Sequence, residues 1–173
     1  MRVYFAAHAT TKDNEAKIAS GWNDTELSDL GIKQAKELGE TFKDIKLDII
    51  CCSDLKRAVD TVKIAFEGKH QVIADQRLRE LNYGDFNGKP SAVVEPMKMQ
   101  HIKEPFPNGE SYEQAVARVR GFYAELKEKY PDKSILIVGH RATQYGLDTL
   151  MGKTLKELLS TPFRWQPYWE YEI

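Results

Sequence analysis

Apolar residues follow two periods along this chain. Residues 2–6, "RVYFA", form a nearly unbroken apolar run, the pattern of a strand covered on both faces. "LDIICC" (47–52) and "SILIVG" (134–139) have the same character, and "HQVIAD" (70–75) predicts a shorter strand. Elsewhere the period is helical. "LSDLGIKQAKELGETFK" has Ser28 as its N-cap, with Leu30, Ala35, Leu38 and Phe42 at helical spacing. Ser53 is the expected cap of a second helix carrying Leu55, Ala58, Val59, Val62 and Phe66. Ser111 with Gln114 makes a capping box, opening a helix whose inward face is Ala115, Val119, Phe122 and Leu126 and which ends by Pro131. A helix from Ala142 to Met151 follows, and Thr154 with Glu157 opens a last short one. The segment Lys89–Asn108 holds four prolines and no clean period, so it is expected to be a loop with one short helix. The tail "QPYWEYEI" has strand composition, and its proline suits a sheet edge.

Strands alternating with helices predict a three-layer α/β sandwich. Its mostly parallel central sheet carries helices on both faces and an edge strand at the C-terminus. Nothing in the pattern marks a linker or a repeat, so residues 1–173 are expected to form one domain, long enough for a sizeable core. Ligands of such sheets sit at the carboxyl ends of the strands. His8 and His140 both stand there, each directly or nearly directly after a strand.

Composition narrows the field further. A formal net charge of −1 supplies no global field for nucleic acid or an anionic membrane, so any anion site must be local. No apolar run is long enough for a signal-peptide core or a membrane span. The two cysteines, Cys51 and Cys52, are adjacent and lie in an apolar strand, where they read as buried thiols and not as a disulfide framework. A cytoplasmic protein is expected, with oligomeric state left open.

Two histidines, two arginines (Arg57, Arg141) and one acid (Glu80) all lie near strand-to-helix junctions, a set suited to phosphoryl transfer through an imidazole. A metal hydrolase built from His8, Glu80, His101 and His140 is a competing expectation. No HExxH spacing supports it, and the arginines would repel a cation.

The segments "VYFAAHATTKDN", "SGWNDTELSDLG", "SDLKRA", "LRELNYGDFNG", "PNGESYEQAVARV" and "VGH" occur together and in order. In this the chain resembles the histidine phosphatase superfamily, which includes cofactor-dependent phosphoglycerate mutases and small phosphatases. The resemblance implies a metal-independent phosphomonoesterase that needs no cofactor and acts on a small phosphorylated metabolite. It makes His8 the nucleophile, a neutral ring that accepts the phosphoryl group with its other nitrogen held as a donor. Arg57 becomes the bidentate phosphate clamp and His140 a second donor to the same phosphate. Glu80 becomes the general acid, with Asp85 and Glu110 as rivals. Thr11, Asn14, Gly21 and Trp22 face the substrate, while "PNGES" reads as structural.

The chain departs from the family at three positions. Ala7 stands where arginine usually precedes the nucleophile, Ala9 replaces the following glycine, and Arg141 replaces the glycine after the late histidine. Losing a charge-assisted pair to phosphate costs about 1.5–3 kcal/mol, so Arg141 is the candidate to restore that charge. A pseudoenzyme that only binds phosphorylated ligands is the alternative that Ala7 suggests. A mutase is the other, disfavoured because the 89–108 insert is short for a closing lid.

Overall fold

The computed structural model describes all 173 residues. The chain runs β1 (Arg2–Ala7), α1 (Lys12–Glu15), β2 (Ile18–Ala19), α2 (Asp29–Phe42), β3 (Ile49–Cys52), α3 (Lys56–Phe66) and β4 (Val72–Ala74). It continues with β5 (Lys89–Pro90), α4 (Ser91–Val94), α5 (Tyr112–Lys129), β6 (Ser134–Gly139), α6 (Arg141–Leu150), α7 (Leu155–Ser160) and β7 (Trp169–Glu172). Five strands form the main sheet in the order β4-β3-β6-β1-β7. Only β7 is antiparallel, paired with β1 along the edge. No helix is long and apolar enough to cross a membrane.

The unbroken apolar runs are explained by two separate cores. Val3, Phe5, Ile49, Cys51, Ile135 and Ile137 face one side of the sheet, against Val119, Phe122 and Leu126 of α5. Tyr4, Ala6, Ile50, Cys52, Leu136 and Val138 face the other, against Leu38 and Phe42 of α2 and Val62 of α3. Each strand residue is buried whichever way it points, so no polar alternation is needed. Both cysteines are free and buried, and burial pushes both thiols up, Cys52 to about 11.

The capping boxes at Ser111 and Thr154 form as the pattern predicts. Two local expectations do not hold, and a third holds only in part. Leu30 is half exposed, and Gly31 takes the inward place because a Cβ there would lie 1.9 Å from the Thr10 carbonyl oxygen. Ser53 does not cap α3, whose N-cap is Leu55; the Ser53 hydroxyl instead accepts from the Leu55 N–H in the turn before it. The 89–108 segment is largely helical, since α4 leads directly into a 3-10 stretch, Glu95–His101. Its second residue is Pro96, a position where a missing N–H costs no helix bond. Val94 and Phe106 bury this segment in a third core with Leu81, Tyr112 and Tyr145, so tertiary packing holds turns that show no period of their own.

The sheet order places the site. The chain passes from β1 to β3 and β4, and β6 later returns between β3 and β1, leaving a crevice at the strand ends where the order reverses. Ala7 pairs with Gly139 in register, and the His8 N–H donates to the Gly139 carbonyl at 2.9 Å. The residues that follow these two strands are therefore neighbours.

Candidate active site

His8 and His140 stand with ring centroids 5.0 Å apart. His8 Nδ1 lies 2.8 Å from the Ala9 carbonyl oxygen, an acceptor that fixes the proton on Nδ1 and leaves the Nε2 lone pair available. Burial, and secondarily the Arg57 charge, push His8 down to about 3. The ring is therefore neutral throughout the physiological range, as a nucleophile requires. Burial first, then Arg57, likewise holds His140 well below its ordinary value. His140 is 1% exposed, and neither of its ring nitrogens has a protein partner. A buried imidazole with two unpaired nitrogens is unfavourable unless a ligand supplies the partner.

Arg57 in the first turn of α3 is also buried. It donates from Nη2 to the Gly21 carbonyl at 2.7 Å and from Nη1 to the Asn23 carbonyl at 3.0 Å, and it makes no salt bridge. Nearby carboxylates, Glu80 first, favour its charge without pairing with it, so a buried guanidinium in this setting suits an anionic ligand. Gly21 lets its loop reach this arginine: its φ is +54°, and a Cβ would lie 1.9 Å from Asn87 Oδ1.

Glu80 stands across the cavity, at the N-terminus of α6. Its Oε1 accepts from the N–H groups of Leu81 (2.8 Å) and Ala142 (3.1 Å), and Oε2 accepts from Arg141 at 3.3 Å. The two rival acids are elsewhere. Asp85 is exposed and accepts from Asn108, while Glu110 is paired with Arg118 at 2.6 Å. Arg118, which carries no local signal in the sequence, also donates to the carbonyls of Arg77, Arg79 and Glu80 and so ties down the Glu80 segment from α5.

His8, Asn14, Gly21, Arg57, Glu80 and Arg141 line one cavity of about 180 Å³. Tyr83, Lys98 and Tyr112 also line it and were not expected from the sequence. Three expected residues do not line it; one is His140, which is buried with its ring 5.0 Å from that of His8. Thr11 is fully buried, and its hydroxyl accepts from the Asn14 N–H in the capping box of α1. Trp22 donates from Nε1 to the Glu80 carbonyl at 2.7 Å, with the Arg79 guanidinium 4.7 Å over its ring. Trp22 therefore positions the acid's backbone. Ala7 lines a smaller neighbouring cavity with Gln34, Glu37 and Trp165. His101 is stacked on Phe106 at 3.8 Å and bonded to the Glu104 carbonyl, away from the other members of the metal set considered above.

The two rings make stability depend on pH. The unfolded chain binds protons near pH 6.5 at both histidines, and the folded chain does not, so stability is fully present above that pH and falls as pH drops toward 3. The slope is at most about 1.4 kcal/mol per pH unit for each ring. Urea midpoints at pH 7.5, 6.0 and 5.0 are expected to fall in that order for the native chain. The fall is expected to be shallower in His140→Asn, and equal slopes in the two proteins would refute the assignment.

Such a fold, with two neutral imidazoles and an unpaired buried arginine at the strand ends, defines a phosphotransfer enzyme of the α/β class. Residues 3–166 match the model of the histidine phosphatase superfamily (branch 1), and the chain belongs to that family. It is 35% identical over 160 residues to the uncharacterized phosphatase PhoE of Bacillus subtilis, covering 92% of this chain and 81% of that protein. A 2,3-bisphosphoglycerate-dependent phosphoglycerate mutase of Allorhizobium ampelinum is 33% identical over 168 residues, covering 87% and 79%. The solved structure of Bacillus stearothermophilus YhfR superposes with a TM-score of 0.88 at 25% identity, covering 99% of this chain and 91% of that one. The protein is a histidine phosphatase, an enzyme of phosphomonoester hydrolysis through a phosphohistidine.

Proposed function

We propose that the cavity hydrolyses a small phosphorylated metabolite, with His8 Nε2 as the nucleophile. One observation carries this: a neutral His8 ring faces a buried, unpartnered His140 ring at 5.0 Å, beside a buried arginine that makes no salt bridge. The substrate phosphate completes all three. Its oxygens accept from Arg57 and from a protonated ring nitrogen of His140, and the Asn14 side-chain amide lines the same wall.

Nε2 attacks phosphorus, and the bond to the leaving oxygen breaks as the new N–P bond forms. That oxygen takes a proton from the Glu80 carboxyl. Glu80 Oε2 makes only the longer, 3.3 Å contact, which makes it the oxygen best placed to exchange a proton. Water then enters where the leaving group departed and gives its proton back to Glu80. Its oxygen displaces Nε2 from phosphorus, and inorganic phosphate leaves. Arg57 and His140 stabilise the charge on the transferring oxygens in both halves, where fixed donors act most strongly.

Water as the final acceptor, in preference to a second substrate, fits the 89–108 insert. That segment is fixed into the protein's own core through Val94 and Phe106 and forms one wall of the site.

Arg141 is placed to supply the charge that Ala7 lacks. It lines the phosphate cavity, where Ala7 does not. Its guanidinium lies 4.7 Å from the Tyr145 ring centroid and 4.8 Å from that of Phe163, and Nη1 donates to Gln144. Arg141→Ala is expected to lower kcat/KM about 10- to 100-fold and to weaken inhibition by inorganic phosphate in parallel. Steady-state kinetics with phosphate as inhibitor tests this. Unaltered turnover and unaltered phosphate inhibition would rule out the compensation.

A further inference from the structure

Three buried side-chain polar atoms lack a partner in the protein: the two ring nitrogens of His140 and the hydroxyl of Tyr112. The first two belong to the phosphate cradle. The third does not. Tyr112 is 2% exposed and lines the same cavity on a wall with Tyr83, Lys98 and Tyr145. Its position is rigid, because it is the first residue of α5, directly after the Ser111 cap, and its ring packs edge-on against Tyr145 at 6.1 Å. The Tyr83 phenol lies close enough for a side-chain contact with the Tyr112 hydroxyl, but the two are not aligned as a hydrogen bond. Burial raises the Tyr112 phenol well above its ordinary value, so it keeps its proton and can donate. A buried hydroxyl that faces a ligand cavity without an aligned partner in the protein is positioned to bond a ligand atom.

The cavity, of about 180 Å³, opens to solvent, so it holds the phosphoryl group and the first atoms of the leaving group without capping the ligand's length. Lys98, whose side chain is 19% exposed and paired with Glu95, lines the same cavity and adds polar character to it.

We propose that the Tyr112 hydroxyl hydrogen-bonds an oxygen carried by the leaving group, so that the site selects phosphate esters of oxygenated alcohols over alkyl esters of equal length. This rests on the phosphate cradle proposed above. Tyr112 is then a specificity-determining residue, acting on the part of the substrate that departs.

The test compares glycerol 3-phosphate with n-propyl phosphate, which share a carbon chain and differ in the oxygens Tyr112 would bind. The native enzyme is expected to favour the glycerol ester by about tenfold in kcat/KM, since a site built to bond a substrate oxygen penalises the analogue that lacks it. In Tyr112→Phe this preference is expected to collapse toward unity, chiefly through a higher KM for the glycerol ester. Because the variant removes an unpartnered hydroxyl, its ligand-free Tm is expected to match or exceed that of the native protein. An undiminished preference in the variant overturns the proposal. So does an equal loss for both esters, which would mark a structural role, or the absence of any preference in the native enzyme. If a phosphoenzyme forms from another donor while neither ester is hydrolysed, only the subsite is wrong. If no donor forms a phosphoenzyme, the cradle itself is wrong.

Discussion

His8→Ala is expected to reduce phosphate release by at least about 10⁴-fold and to abolish the acid-labile phosphoprotein formed from a labelled phosphomonoester. The magnitude follows from losing a covalent route altogether, since the donors left behind can only bind phosphate. Binding and chemistry separate cleanly here. Arg57 is held by the Gly21 and Asn23 carbonyls, and His140 by the end of β6, so neither depends on the His8 ring for its place. The variant should therefore still bind inorganic phosphate, with an affinity within about tenfold of the native protein. Acid-quench labelling and calorimetric titration check the two halves. Native turnover without any trapped phosphoenzyme, or substantial activity in the variant, would remove His8 from the chemistry. A native protein that binds phosphate and never becomes labelled would support the pseudoenzyme suggested by Ala7.

Arg57→Ala is expected to lower kcat/KM by about 10³-fold, in the range found when a fixed donor or arginine is taken from a transferring oxyanion or phosphoryl group. Arg57→Lys should recover little. Lysine carries the charge as a point, while Arg57 spends donors on two carbonyls and must keep others for the ligand. Folding should respond little, because two effects oppose each other. Removing the side chain leaves the two carbonyls unpaired, which costs about 1–3 kcal/mol each if water does not reach them. It also relieves a buried charge that has no carboxylate partner. A Tm change of only a few degrees beside a thousandfold kinetic loss would mark Arg57 as functional and not structural. A kinetic loss below about fivefold would remove it from the phosphate clamp.

Much of the architecture was legible because it is local. The Ser111–Gln114 and Thr154–Glu157 boxes reside within four consecutive residues, so a short window contains all the physics of the cap. The Ser53 expectation failed for the same reason in reverse. A serine before an apolar helical pattern has more than one nearby N–H to accept from, and this one turns to Leu55. The short helix α4 of the 89–108 segment matches its pattern, while the 3-10 turns after it show none, because they owe their order to Phe106, Val94 and the core beneath them. In the site, His8, Arg57, Glu80 and His140 were readable as residue types at strand ends. Thr11 and Trp22 were not: whether a side chain faces the ligand or braces its neighbour depends on its contacts, and both brace. Arg118 and Tyr112 left no trace in the sequence, since Arg118 matters through carbonyls 38 to 41 residues away and Tyr112 through the cavity wall that distant segments build around it.

The order of residues by itself determined which segments are strands covered on both faces, where the helices begin, and which chemically capable groups follow the strands. Those properties depend on neighbours a few positions away. Tertiary structure alone decided that β6 lies beside β1, bringing two imidazoles from opposite ends of the chain within 5.0 Å. It also decided that both are neutral, that Arg57 is buried without a salt bridge and that one phenol is left without an aligned partner. Desolvation and hydrogen-bond pairing are set by what surrounds a group in space, and these surroundings come together only when the sheet closes.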